Sequence, residues 1–499
     1  MTITLAHLLL LPGLLAAPHN PSSDPPATPR EFRAAWVATL DNIDWPSARG
    51  LSAAEQHNEI RRILDAAVDL RLNAIILQVR TAADAIYPSQ LEPWSINLSG
   101  TQGRQPDSAW DPLLAWIEES HHRGIELHAW LNPCRAHVGT TPPAARHISR
   151  TRPELVVQYD RYIWFDPGSP EAVDYILSVF RDVTERYDVD GIHVDDYFYP
   201  YPVQRNGRPL PFPDENSWSR YVTDGGTLTR EDWRRRNVNT LVRRIHEQTQ
   251  HLKPGIRFGI SPFGIIRPGV APGITGFDQF TGISADPALW LREGWCDYLA
   301  PQLYWPISQK AQSFPVLLKS WKQQNPLDIP IWPGLFTSRV GAPEKSWSPD
   351  EILRQIELIR NQTPNPGQLH FSFRTLQQNR GNIAERLRST TYSTPALPPT
   401  VRRPPQPPPV APELAHHPAD ARIDLQTPDS EKSATNANLR TIVVWSFNGT
   451  LWKLATQPAS SPGIKVPRDI HQVRISVVDR WGQESDPTSL LLPAAPPAK

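Results

Sequence analysis

Residues 60–80 read Ile60-Arg-Arg-Ile-Leu-Asp-Ala-Ala-Val-Asp-Leu-Arg-Leu-Asn-Ala-Ile-Ile-Leu-Gln-Val-Arg80 and hold two patterns in succession. Ile60, Ile63, Leu64, Ala67 and Val68 recur at i, i+3, i+4, i+7 and i+8, which is one face of a helix. The joint Arg71-Leu72 then leads into Asn73–Arg80, an apolar run of strand length. Helix, short joint and strand make the unit of an α/β fold.

The unit recurs outward in both directions. Strand-like runs occupy Ala34–Leu40, Asn73–Arg80, Ile125–Asn132, Gly191–Asp196, Ile256–Pro262, Asp297–Tyr304, Ile329–Leu335 and Leu369–Arg374. A second helical stripe is Val173, Ile176, Leu177, Phe180 and Val183. Helix starts are marked by a capping residue before proline at Asp111-Pro112, Ser169-Pro170, Asp286-Pro287 and Ser348-Pro349. The side-chain oxygen takes an orphan N–H of the first turn, and proline at the next position has no N–H to leave unpaired. Ser348 and Glu351 also have the spacing of a capping box. Eight strands alternating with eight helices predict an α/β chain of (β/α)8, or TIM-barrel, type. The joints from helix to strand are short. Those from strand to helix are long, roughly 81–110, 133–169, 197–228 and 263–285. Long loops therefore gather at the C-terminal ends of the strands, where barrel enzymes hold their sites.

Composition narrows the function classes. Fifty-one Lys and Arg balance fifty-one Asp and Glu in 499 residues, so no nucleic-acid partner is expected. Two cysteines exclude a disulfide framework and a four-cysteine zinc site. Cys134 follows the third strand and Cys296 precedes the sixth, at opposite ends of a barrel, so they are expected not to be bonded. No apolar run reaches the roughly 18–20 residues of a membrane span, and no transmembrane helix is expected. The opening MTITLAHLLLLPGLLAA resembles a secretory signal over 1–17, which places the chain outside the cytoplasm, secreted or in the cell envelope or periplasm. Residues 18–29, with five prolines, predict a disordered spacer. Nine prolines lie in Pro395–Pro412, which predicts a stiff linker over 395–412.

The linker divides a body over 30–394 from a tail module over 413–492, with 493–499 beyond it. Alternating Thr441–Phe447 and Gln472–Val478 predict a small β-sandwich, and Val477-Val-Asp-Arg-Trp-Gly-Gln-Glu-Ser485 looks like the last strands of a fibronectin type III-like module. The linker insulates this tail, which is expected to be dispensable for chemistry. A monomer is expected.

The ends of the body strands carry polar and aromatic residues: Trp36, Asp44 and Trp45 by strand one, Arg80 after strand two, Asn132 after strand three. Asp195, Asp196, Tyr197 and Tyr199 follow strand four. Gln302, Tyr304 and Trp305 follow strand six, Trp332 lies on strand seven and Arg374 on strand eight. Amides and carboxylates bind hydroxyls, and flat rings stack on sugar faces, so this ring of groups suits a carbohydrate. Strand alternation puts His193, Asp195 and Tyr197 on one face and turns Asp196 toward the helix layer. Asp286 has two readings, a helix cap or a cleft carboxylate from the loop after strand five. No third ligand accompanies His193 and Asp195, so neither a metal nor any other cofactor is expected. His121 and His122 near a helix C-terminus are read as structural.

Three stretches stand out: Arg30-Glu-Phe-Arg-Ala-Ala-Trp36 through Trp45-Pro46-Ser47, Asp190-Gly-Ile-His-Val-Asp-Asp-Tyr-Phe-Tyr-Pro-Tyr201, and Asp286-Pro-Ala-Leu-Trp through Gln302-Leu-Tyr-Trp305. Together they resemble the bacterial glycosyl-hydrolase-like family ten. Gly259-Ile-Ser-Pro-Phe-Gly264 also fits, and the resemblance spans about 30–390 in barrel order. It implies a peptidoglycan glycosidase-like barrel in an exported bacterial protein, acting on cell-wall glycan stripped of its peptides. It places Asp195, Asp196, Asp286, Gln302 and Tyr304 on the family's motifs. The fourth-strand motif is also reminiscent of family-eighteen chitinases, whose acid is a glutamate where this chain has Tyr197. The first reading is a glycoside hydrolase on an N-acetyl-amino-sugar polysaccharide, most simply peptidoglycan glycan strands, with Asp195 catalytic and Asp196 or Asp286 its partner. The alternatives are a glycan-binding barrel without catalysis, which Tyr197 favours, and a metal-dependent deacetylase or amidase.

Overall fold

The structure is a computed structural model that describes residues 24–106, 110–139, 141–402, 404–426 and 438–492. The expected signal over 1–17 and the closing segment 493–499 lie outside the described residues. Eight strands form one parallel sheet: β1 Phe32–Val37, β2 Ala74–Arg80, β3 Glu126–Leu131, β4 Gly191–Val194, β5 Arg257–Ile260, β6 Tyr298–Leu299, β7 Gly334–Leu335 and β8 Gly367–His370. Their order is β6-β5-β4-β3-β2-β1-β8-β7. The end strands also meet, through bridges at Leu299–Ile331 and Gln302–Gly334, so the sheet curls round on itself. All eight predicted strands are present, but β6 and β7 are only two residues long. Pro301, Pro330 and Pro333 cannot donate to a ladder, so pairing there breaks into isolated bridges.

Helices follow the strands: α1 Ala53–Asp69, α2 Pro112–His121, α3 Pro170–Arg186, α4 Arg230–Leu252, α5 Pro287–Glu293, α6 Phe314–Gln323, α7 Pro349–Arg360 and α8 Ile383–Ser389. The caps fall where the sequence puts them, with Asp111, Ser169, Asp286 and Ser348 each accepting a first-turn N–H. The capping box does not form at Ser348, because Glu351 instead accepts from the Ile307 N–H and the Gln355 amide. It forms at Ser52 and Glu55, ahead of α1. Along α1, Ile60, Ile63, Leu64 and Ala67 are buried, while Val68 is 46% exposed at the edge of the stripe.

Alternation along β1 sorts the core into two compartments. Phe32, Ala34 and Trp36 point to the sheet interior with Ile76, Trp130, Tyr298, Trp332 and Leu369. Ala35 and Val37 face the helices with Ile60, Ile63, Leu64 and Leu77. Phe32 stacks on Trp332 at 4.1 Å and fills the floor. A polar chain runs up the interior from there. Glu126 pairs with Arg257 at 3.2 Å and with His128 Nε2 at 3.2 Å, and the Tyr298 hydroxyl lies 2.9 Å from His128 Nδ1 and 3.0 Å from His193 Nδ1.

The tail holds β9 Glu413–His417, β10 Arg422–Gln426, β11 Leu439–Phe447, β12 Trp452–Pro458, β13 Ile464–Lys465, β14 Gln472–Asp479 and β15 Thr488–Leu491. They form two sheets, β9-β10-β13 and β12-β11-β14-β15, all pairs antiparallel. Ile423, Ile442, Val473, Ile475 and Val477 fill their core. The linker does not hold this module away from the body. Leu397 N–H donates to the Pro29 carbonyl, Arg257 to the Pro399 carbonyl and Val401 N–H to the Trp481 carbonyl. Residues 24–29 of the predicted spacer are fastened too: Thr28 donates to Glu484 at 3.2 Å and Asp24 pairs with Arg474. Prolines lack donors but keep carbonyls, and those carbonyls accept from the body.

Beneath β4, Arg480 of the tail reaches Asp188 at 2.6 Å and Asp190 at 3.3 Å, and Arg440 reaches Asp188 at 3.1 Å. Burial would raise the Asp190 carboxyl, but His121, Arg480 and Arg440 outweigh it and hold it far below the usual carboxylate range. Cys134 and Cys296 are both buried and free.

Candidate active site

The ladder of β4 ends at Val194, and the few residues just past it decide the site. His193 keeps the strand alternation and points inward, where its Nε2 accepts from the Trp36 indole at 3.3 Å. Asp195 continues on that side. Asp196 does not take the opposite direction expected of it. The chain has left the pleat, turning so that the Phe198 N–H bonds the Asp196 carbonyl, and the Asp196 carboxylate accepts from the Tyr201 hydroxyl. Both carboxyls line one cavity of about 270 Å³ at the C-terminal end of the sheet. Alternation holds only while the strand is paired, so it could not be extended two residues beyond the ladder.

Asp195 and Asp196 are each 3% exposed. Asp195 Oδ2 accepts from the Trp130 indole at 3.2 Å and from the Asn132 amide, and Oδ1 faces the Tyr197 N–H at 3.4 Å. Burial pushes the Asp195 carboxyl up to about 7; Arg135 opposes this and the Asp196 charge adds to it. Burial likewise pushes Asp196 up to about 6, against the hydrogen bonds of Tyr201 and Gln302. Tyr197 is raised to about 12 by burial, and the Arg135 guanidinium lies 4.6 Å over its ring. The Arg135 Nε donates to the Thr81 carbonyl at 3.0 Å. Two carboxyls that ionise near neutrality can hold one proton between them and exchange it with a bound molecule.

Around the pair, Trp36, Tyr197, Gln302 and Tyr304 line the cavity as the sequence predicts. Asn132 stands directly behind Asp195. Eight other predicted site residues are not brought there. Asp44 is buried, accepting from the Ala38 N–H, the Ser372 hydroxyl and the Arg374 N–H, and so ties the loop after β1 to the chain after β8. Trp45 lies edge-on to Trp116 in the helix layer, and Arg80 is buried in an ion pair with Glu92 at 2.6 Å. Tyr199 packs on Phe212, Trp305 on Phe263, and the Arg374 guanidinium donates to the Asn42 carbonyl. Trp332 precedes the β7 ladder and therefore sits in the floor. Asp286 is the cap of α5, accepting from the Leu289 N–H at 3.1 Å, in an outer depression with Arg235 and Phe280. Apart from Asp286, each stands on or near a strand in the sequence, but most fall on the helix-facing side or in the loops.

The structure adds Gln78, Trp130, Arg135, Tyr201, Ser261 and Phe371 to the lining. Alternation could have found Trp130, two residues before Asn132. Gln78 and Arg135 stand visibly at strand ends, and Ser261 lies in the Gly259–Gly264 motif. Tyr201 closes the Asp190–Tyr201 motif, but strand alternation does not reach it, and a loop brings it in. Among the described residues no group of three or more His, Cys, Asp or Glu side chains is placed to share a metal ion.

Comparison with known proteins agrees with the resemblance of the motifs. The family model described as Glycosyl hydrolase-like 10 matches residues 31–350. Glycosyl hydrolase YngK of Bacillus subtilis (strain 168) is 39% identical over 383 residues, 74% of this chain and 73% of that one. Glycosyl hydrolase DigH of Escherichia coli (strain K12) is 32% identical over 372 residues, 67% of this chain and 82% of that one. Among solved structures the chain is similar to the PgaB (BpsB) glycoside hydrolase domain of Bordetella bronchiseptica, at 14% identity and a TM-score of 0.43 over 72% of this chain and 98% of that one. The chain belongs to the glycosyl hydrolase-like 10 family.

Proposed function

We propose that this glycosyl hydrolase-like 10 protein is a glycosidase that cleaves an N-acetyl-amino-sugar glycan, with peptidoglycan strands stripped of peptides as its substrate. The observation that carries the reading is the pair Asp195 and Asp196, both buried and pushed up toward neutrality in one aromatic-walled cavity. Glycoside hydrolysis uses one carboxyl as acid and a second as base or nucleophile. Asp195, the higher of the two at about 7, is the acid in this reading, and Asp196 is its partner. Trp36, Tyr197, Tyr304 and Phe371 offer flat faces to sugar rings, and Gln302 and Arg135 offer donors to hydroxyls and carbonyls.

The curled sheet is read as a (β/α)8 barrel, supported by the bridges between its end strands. The tail is read as a fibronectin type III-like sandwich, supported by seven strands divided three and four between two sheets. Export to the envelope is proposed from residues 1–17 alone. The deciding experiment is product analysis after incubating the purified chain with denuded glycan strands. Shorter saccharides support the reading. Unchanged strands that co-sediment with the protein point to a binding protein, and released acetate points to a deacetylase.

A further inference from the structure

We propose that Gln78 and Asn132 are positioning residues that dictate which oxygen of Asp195 carries its proton. The proposal rests on the reading of Asp195 as the acid. Its evidence is a chain of hydrogen bonds whose direction has no freedom. Gln78 Oε1 lies 3.2 Å from the Thr39 N–H and 3.0 Å from the Leu40 N–H. Backbone N–H groups only donate, so this end of the Gln78 amide must be its oxygen. The NH₂ end is then fixed toward Asn132, with Nε2 2.7 Å from Asn132 Oδ1. That contact consumes the Asn132 carbonyl and turns its NH₂ onto Asp195 Oδ2. Trp130, also a pure donor, aims its indole N–H at the same oxygen from 3.2 Å.

Asp195 Oδ2 therefore faces two donors in a buried setting and has no acceptor before it. Oδ2 is filled by two donors, whereas Oδ1 faces only the more distant Tyr197 N–H at 3.4 Å, so the acid proton is held on Oδ1. The backbone of the loop after β1 thus acts on Asp195 through two intermediaries, Gln78 and Asn132. Gln78 is 1% exposed and Asn132 0%, so water does not compete for these amides. The other charged or titratable groups facing Asp195 are Arg135, Asp196, the Tyr197 and Tyr201 hydroxyls and the Cys134 thiol. None of them reaches Oδ2 with a hydrogen bond in the structure.

Two substitutions test the chain. Gln78→Leu removes the donor that fixes Asn132. Gln78→Glu keeps the acceptor for both backbone N–H groups, but once ionised it presents a second acceptor to Asn132. The Asn132 amide then turns over and sets its carbonyl against Asp195 Oδ2, which draws the proton there. The ionisation of Asp195 is read directly from its carboxyl C=O infrared band against pH, assigned by the band's absence in Asp195→Asn. In Gln78→Leu the titration should move up by about one pH unit or more, because a donor to the charged form is no longer fixed. In Gln78→Glu the same movement should appear only on the alkaline side, after the new carboxyl ionises. Turnover of denuded glycan strands should fall at least tenfold in kcat, with KM changed less than about threefold, because the acid is misdirected while the aromatic walls of the cavity stay and Gln78 itself is only 1% exposed. If Gln78→Leu does not fold, Gln78→Glu carries the test. An infrared titration identical to the parent in folded Gln78→Glu overturns the proposal. A shifted titration with full activity in Asp195→Asn upholds the chain of bonds and overturns instead the reading of Asp195 as the acid.

Discussion

Replacing Asp195 by Asn should make the protein more stable at alkaline pH, and the size of the gain is set by its surroundings. An aspartate in the unfolded chain ionises near its ordinary value of 3.8, whereas burial raises Asp195 to about 7. Between those values the folded state binds more protons than the unfolded one, so stability falls as pH rises through the window. Three pH units at about 1.4 kcal/mol each put the cost of ionised Asp195 at about 4 kcal/mol above pH 7. Asn has the same shape, accepts from Trp130 and Asn132 through its carbonyl, and carries no charge. The Asn variant should therefore match the parent in urea midpoint near pH 4 and exceed it at pH 8. Unfolding can be followed by the fluorescence of the eighteen tryptophans. The difference between the two pH values is what counts, since it cancels any constant effect of the substitution. A variant whose advantage is the same at both pH values would show that Asp195 is an ordinary carboxylate in the folded chain, and the acid assignment would fall with it.

The same geometry sets other expectations. Tyr201→Phe removes the hydroxyl that donates to Asp196, so the Asp196 carboxyl should titrate higher and the pH–rate profile should shift upward on that limb. Asp286→Ser should leave turnover and melting nearly unchanged because Ser also caps, whereas Asp286→Ala should cost about 1 kcal/mol of stability with activity kept; loss of activity in the Ser variant would return Asp286 to the cleft. Arg480→Ala should destabilise the protein by about 3 kcal/mol in urea unfolding, because it strips a partner from buried Asp190, and a chain ended near Thr394 should fare worse. A truncated body as stable as the full chain would contradict the docking of the tail. Cys134 and Cys296 should resist a thiol reagent in the native state and yield two equivalents after denaturation, and a bridged pair by mass spectrometry would be incompatible with the fold.

The sequence made the body legible because its signals are local. Strand runs, the Asp111, Ser169, Asp286 and Ser348 caps and the short joints each need only a few neighbouring residues to be read. Site residues were legible where they stand on paired strand or next to it, as with Trp36, Asn132 and Asp195. They were misread where the local rule ends. Asp196 lies past the β4 ladder and Trp332 before the β7 ladder; Arg80 is still paired at the end of β2, but Glu92 claims it from a loop that no pattern locates. The docked linker was hidden for a related reason. Composition showed that Pro395–Pro412 cannot make regular structure, but it could not show that Arg257 uses the Pro399 carbonyl.

The arginine clamp beneath β4 also sets an order of events during synthesis. Asp190 leaves the ribosome 290 residues before Arg480 (480 − 190), an interval of roughly 15–60 s at about 5–20 residues per second. Throughout that interval the segment destined for β4 carries a carboxylate whose closest tail partner does not yet exist. The nascent body can close around the neighbouring strands, but the strand leading to Asp195 and Asp196 gains its last support from the far end of the gene. His121, made before Asp190, can pair with it at once at 2.7 Å, whereas the arginine partners from the tail arrive last, so translation completes the support beneath this strand late.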